Sequence, residues 1–298
     1  LDPDDVGQAE KWYESGLIDK IILPGSMAEN GYGNDISMDT RWTGQIVDKS
    51  WFTDNKYEQY RKPGSVKVPF WLTPLKHYVG PDWYQKTFTV PDSWRNKRVT
   101  LFLERCHWES RVWIDGEHVG NRNSLSTPHE YDLGVLQPGR HHICVCVDNT
   151  VRIGVGINAH SVSDHTQTNW NGIVGKIQLQ AKDNVQISDV QVYPDVARKR
   201  VRIVLSVRKF GDGKVSGVIK GGVHLINDRF GLHGAGIVKP FGGSGRNFEI
   251  ILDSPLSEEF ALWDEFSPNM YRLSLLISGD GFEDSRTIDF GMRQIGAE

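Results

Sequence analysis

Apolar side chains recur at every second position through most of this sequence, a period that suits extended strands with one buried face and excludes helices as the main element. Val99, Leu101 and Leu103 share one face of a run, and Ile143, Val145 and Val147 do the same within residues 140–148. The strongest local signal is Asp115-Gly116, set between Arg111-Val112-Trp113-Ile114 and Glu117-His118-Val119. Asp-Gly accommodates the positive φ values of a two-residue turn, so this stretch predicts a tight β-hairpin. Further on, Val201, Ile203, Leu205 and Val207 alternate with polar neighbours, as do Tyr271, Leu273, Leu275 and Ile277. About seven such runs fit between residues 185 and 292, the number and spacing of an immunoglobulin-like sandwich. A short helix is expected over residues 4–15. Nothing approaches the strand-helix alternation of an α/β barrel.

The chain has 298 residues, more than one domain usually holds, and its composition changes near residue 183. Nine of the ten tryptophans, eight of the ten histidines and seven of the nine tyrosines precede residue 185. Two domains are therefore expected, over residues 1–183 and 184–298. Residues 25–64 stand apart, with Trp42, Trp51, Phe52, Tyr57 and Tyr60 scattered among polar groups. That aromatic insert either clamps itself to the sandwich surface or serves a function.

Charge and apolar run length remove whole classes of partner. Lys and Arg number 34 against 38 Asp and Glu, a net charge of −4 with no basic stripe, so nucleic acid is not expected to bind. Apolar runs such as Ile21-Ile22-Leu23 fall far short of the roughly 20 residues of a membrane-spanning helix, and no membrane partner is expected. Cys144 and Cys146 lie two apart on a strand, facing one way but roughly 7 Å from each other, too far for a disulfide. With Cys106 they are expected to be buried, inert thiols rather than zinc ligands. His160, Asp164 and His165 could be drawn as a metal site, but loop histidines five apart are more simply hydrogen-bonding groups. No metal and no cofactor are expected. The first residue is Leu1, which fits either a removed leader or a start inside a longer protein.

Five phrases then occur in a telling order. They are residues 82–91 (Asp-Trp-Tyr-Gln-Lys-Thr-Phe-Thr-Val-Pro), Val112-Trp113-Ile114-Asp115-Gly116 with Val119-Gly120, Tyr131-Asp132-Leu133, Val145-Cys146-Val147-Asp148-Asn149, and Trp170-Asn171-Gly172-Ile173-Val174-Gly175. Together they resemble the amino-terminal, non-catalytic region of glycoside hydrolase family 2, the family of β-galactosidases, β-glucuronidases and β-mannosidases. Leu262-Trp263, Ser267-Pro268-Asn269-Met270-Tyr271 and Phe290-Gly291-Met292-Arg293-Gln294-Ile295 are similar to the phrases that close the next domain and introduce the catalytic barrel.

The resemblance implies an all-β fold: a jelly-roll, galactose-binding-like sandwich over residues 1–183, then an immunoglobulin-like sandwich over residues 184–298. Retaining hydrolysis uses two carboxyl groups roughly 5 Å apart. In this family both are glutamates on barrel strands, one preceded by asparagine, and no glutamate here follows an asparagine. The chain alone is expected to be inactive. The enzyme it comes from is expected to cleave terminal β-glycosides, β-galactosides ahead of β-glucuronides and β-mannosides. By the same resemblance two loops reach the barrel mouth, making His77, Tyr78, Asp164, His165, Asn169, Trp170 and Asn171 the substrate-binding candidates. Trp170 is either a stacking face or a core plug beside Ile173, and the polar groups serve either sugar hydroxyls or contacts to the barrel. Expected partners are a β-linked carbohydrate and that barrel. A free-standing, lectin-like protein is the alternative. Relatives point to the bacterial periplasm or exterior, with the cytoplasm as the other option, and nothing in the sequence sets the oligomeric state.

Overall fold

Runs with apolar residues at alternate positions fold here as antiparallel strands, which pair their backbone groups with neighbours while burying one row of side chains. A computed structural model of the chain describes residues 1–40, 49–67, 76–154, 170–226 and 234–294. It divides into two units, Leu1–Ala181 and Lys182–Glu298.

The first unit contains three short strands, β1 (Gly25–Ser26), β2 (Asn34–Asp35) and β3 (Lys76–His77), followed by seven longer ones. These are β4 (Pro81–Val90), β5 (Arg98–His107), β6 (Glu109–Ile114), β7 (Glu117–Asn123), β8 (His129–Val135), β9 (Gly139–Asp148) and β10 (Gly172–Lys182). Two four-stranded sheets, in the orders β1-β10-β5-β8 and β4-β9-β6-β7, make a sandwich, and β2 pairs with β3. Val99, Leu101 and Leu103 of one sheet share a core with Val112, Val145 and Val147 of the other. The Asp115-Gly116 turn has φ values of 51° and 85° and joins β6 to β7 with Ile114 opposite Glu117, the hairpin that the dipeptide predicts. Asp115 also accepts hydrogen bonds from the His142 backbone N–H (2.8 Å) and from His141 Nδ1 (2.6 Å), which ties the turn to β9.

The expected helix over residues 4–15 is replaced by a strap with a single 3-10 turn at Trp12–Glu14. Two contacts explain the difference. Gly7 lies so close to the Trp83 indole that a Cβ there would sit 2.6 Å from Nε1. The adjacent Trp12 and Tyr13 both pack on one apolar patch, whereas a helix would splay neighbours about 100° apart. Fully buried Asp2 anchors the strap, accepting hydrogen bonds from the backbone N–H groups of Val6 and Gly7 and from Trp83 Nε1 at 2.8–2.9 Å. Under the strap lie Trp83, Trp113, Cys144 and Cys146. The three thiols are free and buried, and burial pushes Cys106 and Cys144 up to about 12, so they are unreactive at neutral pH. Within the aromatic insert, Trp51 is fully buried and joins Val66, Ile36, Phe52 and Tyr57 in a small core of its own. Trp42 lies outside the described residues.

The second unit holds β11 (Val185–Asp195), β12 (Arg200–Lys209), β13 (Lys214–Leu225), β14 (Ile237–Ser244), β15 (Asn247–Pro255), β16 (Met270–Gly279) and β17 (Phe282–Gly291). A three-stranded sheet, β11-β12-β15, and a four-stranded one, β14-β13-β16-β17, match the seven runs of an immunoglobulin-like sandwich. Val201, Ile203, Leu205, Val207, Leu273 and Ile277 fill its core with no residual exposure. Leu205→Ala should therefore cost about 2–5 kcal/mol, read as a lower urea midpoint, while Ile251→Ala on the open face should stay within about 0.5 kcal/mol.

Asp82 breaks the apolar pattern of β4. It is fully buried, and among the described residues neither carboxylate oxygen has a hydrogen-bond partner of normal geometry. Burial foremost, with the nearby negative charge of Asp148 adding to it, raises its pKa to about 8. An acid whose pKa is higher folded than unfolded gives up its proton first in the unfolded chain, so its contribution to stability falls as pH climbs from about 4 to about 8. Asp82→Asn should remove that slope. Denaturation at two pH values checks it: the variant should gain more over the parent chain at pH 8 than at pH 5.

Candidate functional site

Five strand ends of the first unit meet at one edge of the sandwich. Pro81 at the start of β4 lies opposite Asp148 at the end of β9, and Asp148 in turn lies opposite Glu109 at the start of β6. His107 ends β5, and the Trp108 backbone N–H donates to the Asp148 carbonyl at 3.0 Å. Gly172 opens β10 with φ of +125°, and a Cβ there would come within 2.7 Å of the Gly25 carbonyl oxygen. Glycine alone lets the backbone after Trp170-Asn171 pass this close to β1.

One carboxamide joins these ends. Asn149 is fully buried; its Oδ1 accepts from the Gly80 N–H at 2.9 Å, and its Nδ2 donates to the carbonyls of Tyr78 (3.0 Å) and Trp170 (3.3 Å). His107 Nδ1 lies 2.5 Å from the same Trp170 carbonyl, a contact that assigns the proton to Nδ1. The His107 ring sits against the Trp170 indole at 4.8 Å and 39°, and stacks on Trp108 at 6.2 Å and 19°.

The candidates read from sequence separate on this frame. Trp170 is half-buried, with its indole against the His107 ring. Asn171 is buried, its carbonyl accepts from the Met27 N–H at 3.1 Å, and its Nδ2 has no hydrogen-bond partner among the described residues. Tyr78 is buried as well, and its hydroxyl is committed inside the protein, accepting from the Asp2 N–H at 3.0 Å and donating to the Pro81 carbonyl at 2.9 Å. Burial pushes the Tyr78 phenol well above its ordinary range. His77 is buried in β3, opposite Asn34. Asp164, His165 and Asn169 lie outside the described residues. Structure thus brings the Tyr78 and Trp170 segments together through Asn149, a residue that sequence reading placed in a strand phrase without a role. His107 and Trp108 were missed too. Their only signal was position, directly after the alternation of β5 ends.

Charge at this edge is largely neutralised. Asp148 accepts from the Thr150 N–H (2.8 Å) and Oγ1 (2.5 Å) and pairs with Arg152. Glu109 lies 3.8 Å from Arg152 and 3.7 Å from Arg111. Both acids are thus paired with arginine, and Asp82 is buried. Among the described residues no cluster of three His, Cys, Asp or Glu side chains could hold a metal ion. The edge thus brings together an indole, two buried carboxamides and backbone polar groups. In the second unit, a cleft of about 520 Å³ is lined by Val196, Leu262, Trp263 and Met292, with Arg293 over the Trp263 ring at 4.9 Å. It contains none of the sequence candidates.

Comparison with known proteins assigns the chain. Residues 1–183 match the model of the sugar binding domain of glycosyl hydrolases family 2, and residues 185–293 match a second model of the same family. A β-galactosidase from Enterobacter cloacae is 24% identical over 98% of this chain, and a β-glucuronidase from Paenibacillus borealis is 28% identical over 50% of it. The chain spans only 26% and 19% of their respective lengths. Among solved structures, a family 2 member from Bacteroides cellulosilyticus aligns with a TM-score of 0.67 at 16% identity, covering 95% of this chain and 33% of its own. Bacteroides uniformis β-glucuronidase gives 0.61 at 18% identity, covering 73% and 27%. At such identities the structural likeness speaks for the fold alone. The family models, matched in order and leaving only residues 184 and 294–298 outside, carry the assignment. The chain belongs to glycoside hydrolase family 2 and corresponds to its amino-terminal β-sandwich domains.

Proposed function

We propose that this chain is the non-catalytic part of a glycosidase that removes terminal β-linked sugars, β-galactosides before β-glucuronides, with retention of configuration. Its edge at Tyr78, Trp170 and Asn171 forms one wall of the sugar site, and Asp164, His165 and Asn169, which lie outside the described residues, are carried as sugar contacts on the sequence resemblance alone. The observation that carries this reading is the pair of family matches, over residues 1–183 and 185–293. The incomplete burial of Trp170 supports it, because a flat aromatic face packs against the C–H side of a pyranose. So does the absence of any glutamate following an asparagine, which leaves the bond-cutting pair to polypeptide beyond these domains.

Two measurements test it. Incubated with nitrophenyl β-galactoside or nitrophenyl β-glucuronide, the purified chain should release no chromophore above the uncatalysed rate; enzymatic turnover would overturn the proposal. Calorimetric titration with methyl β-galactoside should give weak binding that Trp170→Ala reduces by about tenfold, the loss expected for one stacking face. Tight, selective binding with no dependence on Trp170 would favour a lectin-like protein that uses another surface.

A further inference from the structure

We infer that Asn149 is the positioning residue of this edge: one buried carboxamide sets the spacing between the Tyr78–Gly80 segment and the Trp170–Gly172 segment, so that the two present a single surface. This rests on the sugar-facing role proposed above, although the clasp itself stands on geometry.

All the hydrogen-bonding capacity of the Asn149 Nδ2 is spent across the gap, one proton on the Tyr78 carbonyl at 3.0 Å and the other on the Trp170 carbonyl at 3.3 Å, while Oδ1 holds the Gly80 N–H at 2.9 Å. No other side chain reproduces that set in the same volume. Aspartate keeps the acceptor and loses both donors, serine is too short, and glutamine adds a methylene to a residue with no exposure. The Trp170 carbonyl is gripped a second time by His107 from the end of β5, so the indole is referred to two strands at once, β9 through Asn149 and β5 through His107. On the opposite side, the Tyr78 hydroxyl between the Asp2 N–H and the Pro81 carbonyl keeps its segment from sliding along β4. A shift of either segment alone would strand a buried donor or acceptor of Asn149, which couples the two.

Hydrogen exchange on the whole 298-residue chain tests the clasp. In Asn149→Asp, amides 78–80 and 170–172 should both exchange about tenfold faster or more, with β11–β17 unchanged. In His107→Phe, which keeps a ring but loses the donor, only 170–172 should accelerate. Acceleration of one segment alone in Asn149→Asp, or of neither, overturns the inference. Should that variant fail to fold, the unaltered chain decides: both Asn149 carboxamide protons should exchange as slowly as the flanking amides, and fast exchange refutes the clasp. Titration with methyl β-galactoside separates this from the functional proposal. An affinity about tenfold lower in Asn149→Asp than in the unaltered chain joins the clasp to sugar binding. No binding by the unaltered chain counts against the sugar-facing role, while the exchange data still judge Asn149.

Discussion

Pairing of β9 on both of its edges is the constraint on which the first unit depends. Every residue from Gly139 to Asp148 lies opposite a residue of β4, and Glu109–Ile114 of β6 fill the other edge. A strand held on both sides cannot slip by one residue without turning its whole inner row outward. Val145 and Val147 therefore stay in the sandwich core, and Cys144 and Cys146 stay on the opposite face with Trp83 and Trp113. The same register delivers Asp148 and Asn149 to the edge where β4, β5, β6 and β10 begin or end. The candidate site is thus a consequence of strand register, built on the most securely placed part of the unit.

Burial on both faces of β9 also explains the strap. An outer face carrying two tryptophans would be a large apolar patch if left open. Trp12 and Tyr13 cover it, and Tyr13 stacks on Trp113 with centroids 5.0 Å apart and rings 4° from parallel. Asp2 then links this cover to the edge that holds the candidate site, since its carboxylate holds the strap and Trp83 while its backbone N–H reaches the Tyr78 hydroxyl. Tyr78 is consequently a structural member of the edge: its phenol is used up inside the protein, and it contributes to the surface through its backbone.

Charge at this edge is balanced within the first unit. Asp148 and Glu109 are drawn to Arg152, and Asp82 favours its neutral form near pH 7 because burial penalises the charge more than its neighbours relieve it. A family known for carboxylate chemistry here presents carboxyls that are either paired or protonated.

Sequence alone determined whatever depends on near neighbours. Period-two runs specified strands because side chains in an extended backbone alternate faces whatever surrounds them, and Asp115-Gly116 specified its turn because few other dipeptides accept two positive φ values. The ordered phrases pointed to the family, since each is a local pattern of strand and turn. What pairs with what across dozens of residues left no such mark. That the segment before β4 meets the one before β10 through Asn149, that residues 1–16 form a strap instead of a helix, and that the Tyr78 hydroxyl faces inward were decided by tertiary contact. The physical reason is that a carboxamide in a strand phrase looks the same in sequence whether solvent or two distant carbonyls receive its protons, and only the packed sandwich, by excluding water there, makes that choice.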